Sequence, residues 1–328
     1  MELCDAATFG DTSEQDGDMN DNSAPDDRKL SLFVGLSTVD IAYSVDSYPA
    51  EDTKTQARNQ YIGAGGPATN AAVAYAALGG APTLVTAVGT QRLGDLIRND
   101  LAGHGVRIVD VCAGSDHQPP VSSIVVAEAA ATRTVVSLDG TRIAVAYEHG
   151  LAELLPGVNI VLVDGHYPAL AAGLCEQARS LGIPTVLDAG RFKDSHIALL
   201  PHIRSAICAA AFAPPGIRKG DTAAVLAYLR AAGVENIAIT NGAEPIIGLA
   251  GDREFRIDIP ETRAVDTLGA GDILHGAFCY FTSTGHDFVH ALTSASEVAS
   301  FSCRFFGTRE WCNRLSELPG RGTSRPWA

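Results

Sequence analysis

Between residues 265 and 281 the chain reads VDTLGAGDILHGAFCYF. Gly269, Ala270 and Gly271 precede a segment of helical character, and small residues there leave backbone N–H groups that have no partner inside the helix. Such a helix N-terminus attracts an anion. Placed against a phosphoryl group, it would stabilise the charge that redistributes during transfer. Asp272 completes the turn. A carboxylate does nothing to bind that anion, but it can take the proton of a neutral hydroxyl as the hydroxyl attacks phosphorus. The two features are compatible if the N–H groups face the phosphoryl oxygens and Asp272 faces the hydroxyl. The plainer alternative is an N-terminal helix acid favoured by the dipole.

A second glycine turn, GAGGPATNAA at 63 to 72, formally fits the dinucleotide fingerprint G-x-G-x-x-G/A. Its context does not fit, because the next strand-like segment, TLVTAV, ends in Gly-Thr-Gln with no acid to hold a ribose. What Gly65 and Gly66 offer is close approach of backbone to a ligand. Asn70, about one helical turn further on, presents both a donor and an acceptor, which suits hydroxyl groups. Neither the G-x-x-x-x-G-K-[ST] loop nor the G-x-S-x-G elbow occurs, so a P-loop nucleoside triphosphatase and a nucleophile-elbow hydrolase are both disfavoured.

These turns must be carried by larger elements. KLSLFVGLSTVDI reads as a buried strand ending at a polar turn with Asp40. TLVTAV, VNIVLVDG, IPTVLDAG, RSAICAAAF and ENIAIT are further near-continuous apolar runs of the kind buried parallel strands show. Between them RLGDLIRNDLAGHG, ALAAGLCEQARSLG and TAAVLAYLRAAG have helical spacing and end in glycine. Alternation of this kind predicts an α/β fold whose mostly parallel sheet has helices on both faces. Ligands of such sheets bind beyond the carboxyl ends of the strands. That rule gathers Asp40, Asp164, Asp188, Thr240 and Asp266 toward one edge, where each could equally be a turn or cap residue. The segments between 41 and 63 read as exposed strands outside the main sheet, a candidate lid, and PPVSSIVVAEAAATRTVVSLDGTR reads as a hairpin-like insertion.

Composition narrows the function. With 46% hydrophobic and 19% charged residues in 328 positions, the chain is expected to be a soluble globular protein. No run approaches the roughly 18 apolar residues of a membrane span. The formal charge of −14 is divided unevenly: residues 1 to 29 hold nine acids and two bases, or −7, which leaves −7 for the remaining 299. That tail is expected to be disordered. The rest, 30 to 328, is expected to form one domain. An acidic body without a basic cluster argues against nucleic acid as a partner, and the N-terminus has no signal or transit pattern, so a cytoplasmic protein is expected. Seven scattered cysteines without C-x-x-C give no reason to expect a structural zinc.

DTLGAGD at 266 to 272 and GAGGPATNAA at 63 to 72 resemble the two signature motifs of the ribokinase/PfkB-type carbohydrate kinases, and the order of elements is similar from about residue 30 onward. The resemblance implies a ribokinase-like three-layer fold with a small β-strand lid. It implies ATP as phosphate donor with Mg2+, and in some members a monovalent cation such as K+. On matching positions, Asp272 would be the base, with Gly269, Ala270 and Gly271 as the anion hole. Asp40, Gly65, Gly66 and Asn70 would hold sugar hydroxyls, with Asp164 a weaker match on the substrate side. Thr240 and Gly242 would open the nucleotide loop, with Asp188 on that side too, and Asp266 would face the monovalent cation. The lid would also form a homodimer contact. Two departures stand out: Pro245 replaces the last glycine of the nucleotide loop, and Ala213-Pro214-Pro215-Gly216 stands where the family carries N-x-x-E, a motif that helps organise magnesium. The sulfofructose-kinase-like branch looks similarly degenerate there.

The function expected from these residues is therefore ATP-dependent phosphorylation of a sugar hydroxyl. A nucleoside kinase of the same fold would need an aromatic clamp, for which the lid offers Tyr43, Tyr48 and Tyr61. A binding protein that has lost activity is suggested by the missing N-x-x-E but not by the retained Asp272. Arg133 or Arg142, in the insertion, is a candidate to meet an anionic substituent of the sugar.

Overall fold

The structure, a computed structural model, describes residues 28–138, 140 and 143–318. The acidic segment up to residue 27 and Arg142 lie outside the described residues.

Strand β1 (Leu30–Val34) enters the main sheet, and the chain then leaves it through Gly35, Leu36 and Ser37 to form β2 (Thr38–Val45). The run that reads as one strand in the sequence is thus two. Asp40 lies inside β2, not at the end of a main-sheet strand. β3 (Asn59–Gly65) returns antiparallel to β2 and leads through Gly66 into α1 (Pro67–Ala77), whose first position is a proline with no helical N–H to lose. β4 (Ala81–Thr86), α2 (Arg92–Gly103) and β5 (Arg107–Asp110) follow in βαβ order. β6 (Val121–Ala127) and β7 (Thr132–Ser137) then form a hairpin that adds to β2, giving a small sheet in the order β3-β2-β6-β7. The insertion and the lid segments are therefore one four-stranded sheet, wider than residues 41 to 63.

The chain continues through β8 (Ile160–Val163), α3 (Pro168–Ser180), β9 (Thr185–Ala189), α4 (Ser195–Leu199), β10 (Ser205–Ala209), α5 (Thr222–Ala231) and β11 (Asn236–Asn241). A hairpin, β12 (Glu244–Ala250) and β13 (Arg253–Ile257), precedes α6 (Ala270–Ser283), α7 (Phe288–Ser302) and α8 (Glu310–Asn313). The main sheet runs β13-β12-β11-β10-β9-β8-β1-β4-β5, parallel throughout except for β12 and β13. Alternate strand residues point to opposite faces. Phe33, Leu84, Leu162 and Ile207 pack under α1, α6 and α7, while Leu32, Val85, Val161 and Cys208 pack against α3, α4 and α5. This double burial is why the strands are continuously apolar and why the architecture has three layers. Among the described residues no helix is long and apolar enough to cross a membrane.

Candidate active site

Gly269 caps α6 at φ 71°, a left-handed conformation that favours glycine, and a β-carbon there would press on the Thr308 methyl at 2.8 Å. Gly271 is different. A β-carbon on it would meet nothing within 4 Å, so the chain itself does not require glycine at that point. Open space over N–H groups at a helix N-terminus is what an anion needs. One residue on, Asp272 Oδ2 accepts a 2.8 Å hydrogen bond from Asn70 Nδ2. The two residues come from helices that pack unusually closely, because Gly276 lets α6 lie against the Ala71 carbonyl and Ala74 of α1.

Asp272 keeps some solvent access, yet the surrounding protein raises its pKa from 3.8 to about 7. Burial is the main cause, followed by the charge of Asp188. The Asn70 hydrogen bond and the charges of His275 and Arg133 pull the other way. Asp188, buried in β9, also has a raised pKa, again chiefly from burial, with His275 opposing it. His275 ties these pieces together. Its Nδ1 lies 2.7 Å from the Gly271 carbonyl and 3.3 Å from Asp188 Oδ2, and its Nε2 lies 3.0 Å from the Ile207 carbonyl on β10. The N-terminus of α6 is thereby pinned to the carboxyl edge of the sheet.

The lid supplies the opposite wall. Registry places Gly63, Asp40, Ser122 and Ser137 in one row and Asn59, Ser44, Val126 and Arg133 in another, both on the face that also carries Tyr61 and Ala42. Asp40 accepts from Thr38 Oγ1 at 2.7 Å, and burial raises its pKa against the pull of Thr38, Ser122 and Arg309. Gly65 lies directly on the Asp40 carboxylate, and Gly66, at φ 102°, lies on the Leu36 carbonyl, so neither position has room for a side chain. Arg133 Nη1 donates to Thr267 Oγ1 at 2.7 Å and so reaches the loop that leads into the glycine turn, while Tyr43 and Tyr48 are exposed. Tyr61 hydrogen-bonds Thr308 at 2.9 Å.

Two other sequence candidates, Asp164 and Asp266, are hydrogen-bonded to backbone. Asp164 is buried, and its oxygens accept the N–H groups of Leu36, Ala68 and His166 at 2.9, 3.3 and 3.0 Å. It knots the exit of β1 to the start of α1. Asp266 does not follow a strand; its two oxygens accept from Leu268 at 2.8 Å and Gly307 at 2.9 Å, which draws the 307–309 segment onto the glycine turn. Thr240 and Gly242 lie where β11 turns tightly into antiparallel β12, apart from the Asn70–Asp272 pair. Pro245 falls at the ladder's irregular end, where its missing N–H leaves the β12–β13 pairing, which begins at Ile246, intact.

The site also contains residues that the sequence did not reveal: His275, Thr308, the half-buried Asp100 and the buried Arg309, whose guanidinium donates to Asp100, Asn70, Thr308 and the Ala64 carbonyl. Each also has a partner distant in the chain: Asp188 and Ile207 for His275, Tyr61 for Thr308, and Asn70 and Asp100 for Arg309.

Among the described residues no three His, Cys, Asp or Glu side chains cluster to hold a metal. The stretch from Ala213 to Gly216 is an apolar turn closed by Ile217 N donating to the Pro214 carbonyl at 3.0 Å. Asp266 is already engaged by two N–H donors. A cleft of about 500 Å3 lies at the other end of the sheet, lined by Arg204, Ser205, Glu235, Asn236, Phe278 and Phe288, and it shares no residue with the site.

An open anion cradle beside a carboxylate poised near neutrality equips a protein for phosphoryl transfer to an alcohol, on a fold that shields the acceptor with a lid. Comparison with known proteins agrees: the model of the pfkB family carbohydrate kinases matches residues 28–314, and the chain belongs to that family. It is 27% identical to a ribokinase of Bacillus subtilis over 287 residues, covering 84% of this chain and 93% of the relative. A solved structure of a proposed ribokinase from Agrobacterium tumefaciens superposes with a TM-score of 0.77 at 25% identity, covering 88% of this chain and 99% of that one. Arabidopsis thaliana ribokinase in complex with ribose and ATP superposes with a TM-score of 0.69 at 20% identity, covering 89% and 98%. The chain is thus a phosphotransferase of the sugar-kinase type.

Proposed function

We propose that this kinase transfers the γ-phosphoryl group of ATP to a hydroxyl of a small sugar or sugar derivative, with Asp272 as the base. The observation that carries this reading is the junction of Gly271, open above the N-terminus of α6, with an Asp272 carboxylate aligned by Asn70. The acceptor lies between the lid, whose strands carry Asp40 and Gly65, and the start of α1 with Gly66 and Asn70; the Asp40 carboxylate and the Asn70 amide suit hydroxyl groups. As that hydroxyl attacks phosphorus its proton passes to Asp272, whose pKa of about 7 keeps a large fraction ionised at neutral pH. The N–H groups of Gly269 to Gly271 stabilise the transferring phosphoryl oxygens. Thr240, Gly242 and Asp188 belong to the nucleotide side, and Mg2+ arrives on the ATP phosphates.

The chain pairs as a homodimer through the lid. The lid's other face carries Ile62, Val136 and Tyr43, all exposed, next to Ile41 and Val125 in register, an apolar surface that a second copy would cover.

Asp272→Asn tests the central assignment. It keeps the size and removes the base, so turnover should fall about 10²–10⁴-fold while ATP binding persists. Wild-type turnover would refute the role. An ADP-release panel of sugars and nucleosides identifies the acceptor, and a response to nucleosides alone would replace the sugar reading.

A further inference from the structure

We propose that Arg309, held by Asp100, is a positioning residue: it sets the orientation of the Asn70 amide, so that Asn70 presents an N–H and not an oxygen to the Asp272 carboxylate. This rests on the reading of Asp272 as the base.

An asparagine amide has two nearly isosteric orientations, and its neighbours decide between them. Arginine has five donors and no acceptor. Arg309 Nη1 donates to Asn70 Oδ1 at 2.9 Å, which leaves Nδ2 facing Asp272 Oδ2 at 2.8 Å. A flipped amide would set its NH2 against the guanidinium and its oxygen against the carboxylate, and both contacts would be repulsive.

Arg309 has little freedom to move. It is 7% exposed, and Nε and Nη2 donate to Asp100 Oδ2 at 3.2 and 3.0 Å. Nη2 also donates to the Ala64 carbonyl at 2.6 Å, while Asp100 Oδ2 accepts the Ala64 N–H at 3.1 Å. The pair thus grips one residue of the glycine turn from both sides. Nη1 further donates to Thr308 Oγ1 at 2.9 Å. Tyr61 and Cys312 complete the polar surroundings of Arg309, and Asp40 feels its charge. Around Asp272 stand Asp188 from β9, His275 from α6, Arg133 from β7 and Asn70 from α1. Of these, the Asn70 contact is the one Arg309 controls.

Without Arg309 the amide can turn. Protonated Asp272 then gains an acceptor, and ionised Asp272 loses its assured donor, so the proton is held more tightly. Arg309→Met should therefore move the Asp272 titration upward by about one unit, read by carboxyl 13C NMR and assigned with Asp272→Asn. From a pKa of about 7, that shift lowers turnover about fivefold at pH 7 and leaves it nearly intact at pH 9, whereas general structural damage would lower it throughout. In an Asn70→Leu background the same substitution should add no shift. An unmoved titration after Arg309→Met, or an equal shift without Asn70, overturns the proposal. Should Arg309→Met not fold, Asp100→Asn/Arg309→Met removes the buried guanidinium together with its half-buried partner charge, keeps an acceptor for Ala64 N–H, and carries the same expectation. Failure of the base assignment has a different signature: Asp272→Asn would keep its turnover while the NMR shift remained.

Discussion

Replacing Gly271 by alanine should separate catalysis from stability. A β-carbon at 271 meets no atom within 4 Å, and the residue is not among those with positive φ. Alanine there removes backbone entropy from the unfolded chain and should stabilise by about 0.5–1 kcal/mol. In a chain of this size that raises the melting temperature by about 1–4 °C. The same methyl occupies the approach to the exposed N–H groups of α6, where a phosphoryl oxygen must come to hydrogen-bond distance. Loss of one donor from such a site costs about 3–4 kcal/mol, or 10²–10³-fold in turnover. Gly276→Ala gives the opposite contrast. Its β-carbon would strike the Ala71 carbonyl and lie 2.8 Å from Ala74 Cβ, so α1 and α6 must separate by about 1 Å to restore ordinary carbon contact. Overpacking of this kind costs about 1–3 kcal/mol. It also stretches the 2.8 Å Asn70–Asp272 bond to about 3.8 Å, beyond hydrogen-bonding range. Thermal melting and ADP release on the same preparations read both quantities. A Gly271→Ala protein that melts several degrees below wild type, or that turns over like wild type, would refute the reasoning.

The raised pKa of Asp272 makes a separate claim about stability. Its folded value is about 7 against 3.8 in the absence of the fold, so ionisation opposes folding. The penalty is complete above pH 7, shrinks as pH falls from 7 toward 4, and is absent below that. Asp272→Asn should consequently melt higher than wild type at pH 8, with the gap closing by about pH 4; an equal gap at both pH values would show that burial of the charge is not its cause. For the lid, Ile62→Glu/Val136→Glu places charge in the exposed apolar row, and sedimentation velocity should then show monomer where the parent shows dimer. A parent that already sediments as a monomer would remove the pairing.

What was legible in the sequence was local. Gly269 to Asp272 and Gly65 to Asn70 announce themselves because a turn and the helix it opens lie within a few residues of each other. The parallel sheet was legible because strands buried on two faces leave long apolar runs. Asp40 was misplaced because β1 and the inward-facing residues of β2 are both buried, so hydrophobicity continues across the Gly35 to Ser37 break. For Asp164 and Asp266 the sequence records a carboxylate but not the N–H groups it meets, which are those of Leu36, Ala68 and His166 for one and of Leu268 and Gly307 for the other. Asp100, His275 and Arg309 were silent, since each has a partner on a strand or helix far away in sequence: Arg309 for Asp100, Asp188 and Ile207 for His275, and Asn70 for Arg309.

The separation of Asn70 from Arg309 is 239 residues, that of Asp100 from Arg309 is 209, and that of Asn70 from Asp272 is 202. Closing loops of this length delays the contacts that depend on them. The ribosome delivers Asn70 and Asp100 early and Arg309 among the last residues of the described body. A nascent chain can therefore complete the parallel sheet as far as β11 while the Asn70 amide and the Asp100 carboxylate still lack their partner, and the two are tied together only once Arg309 has been made.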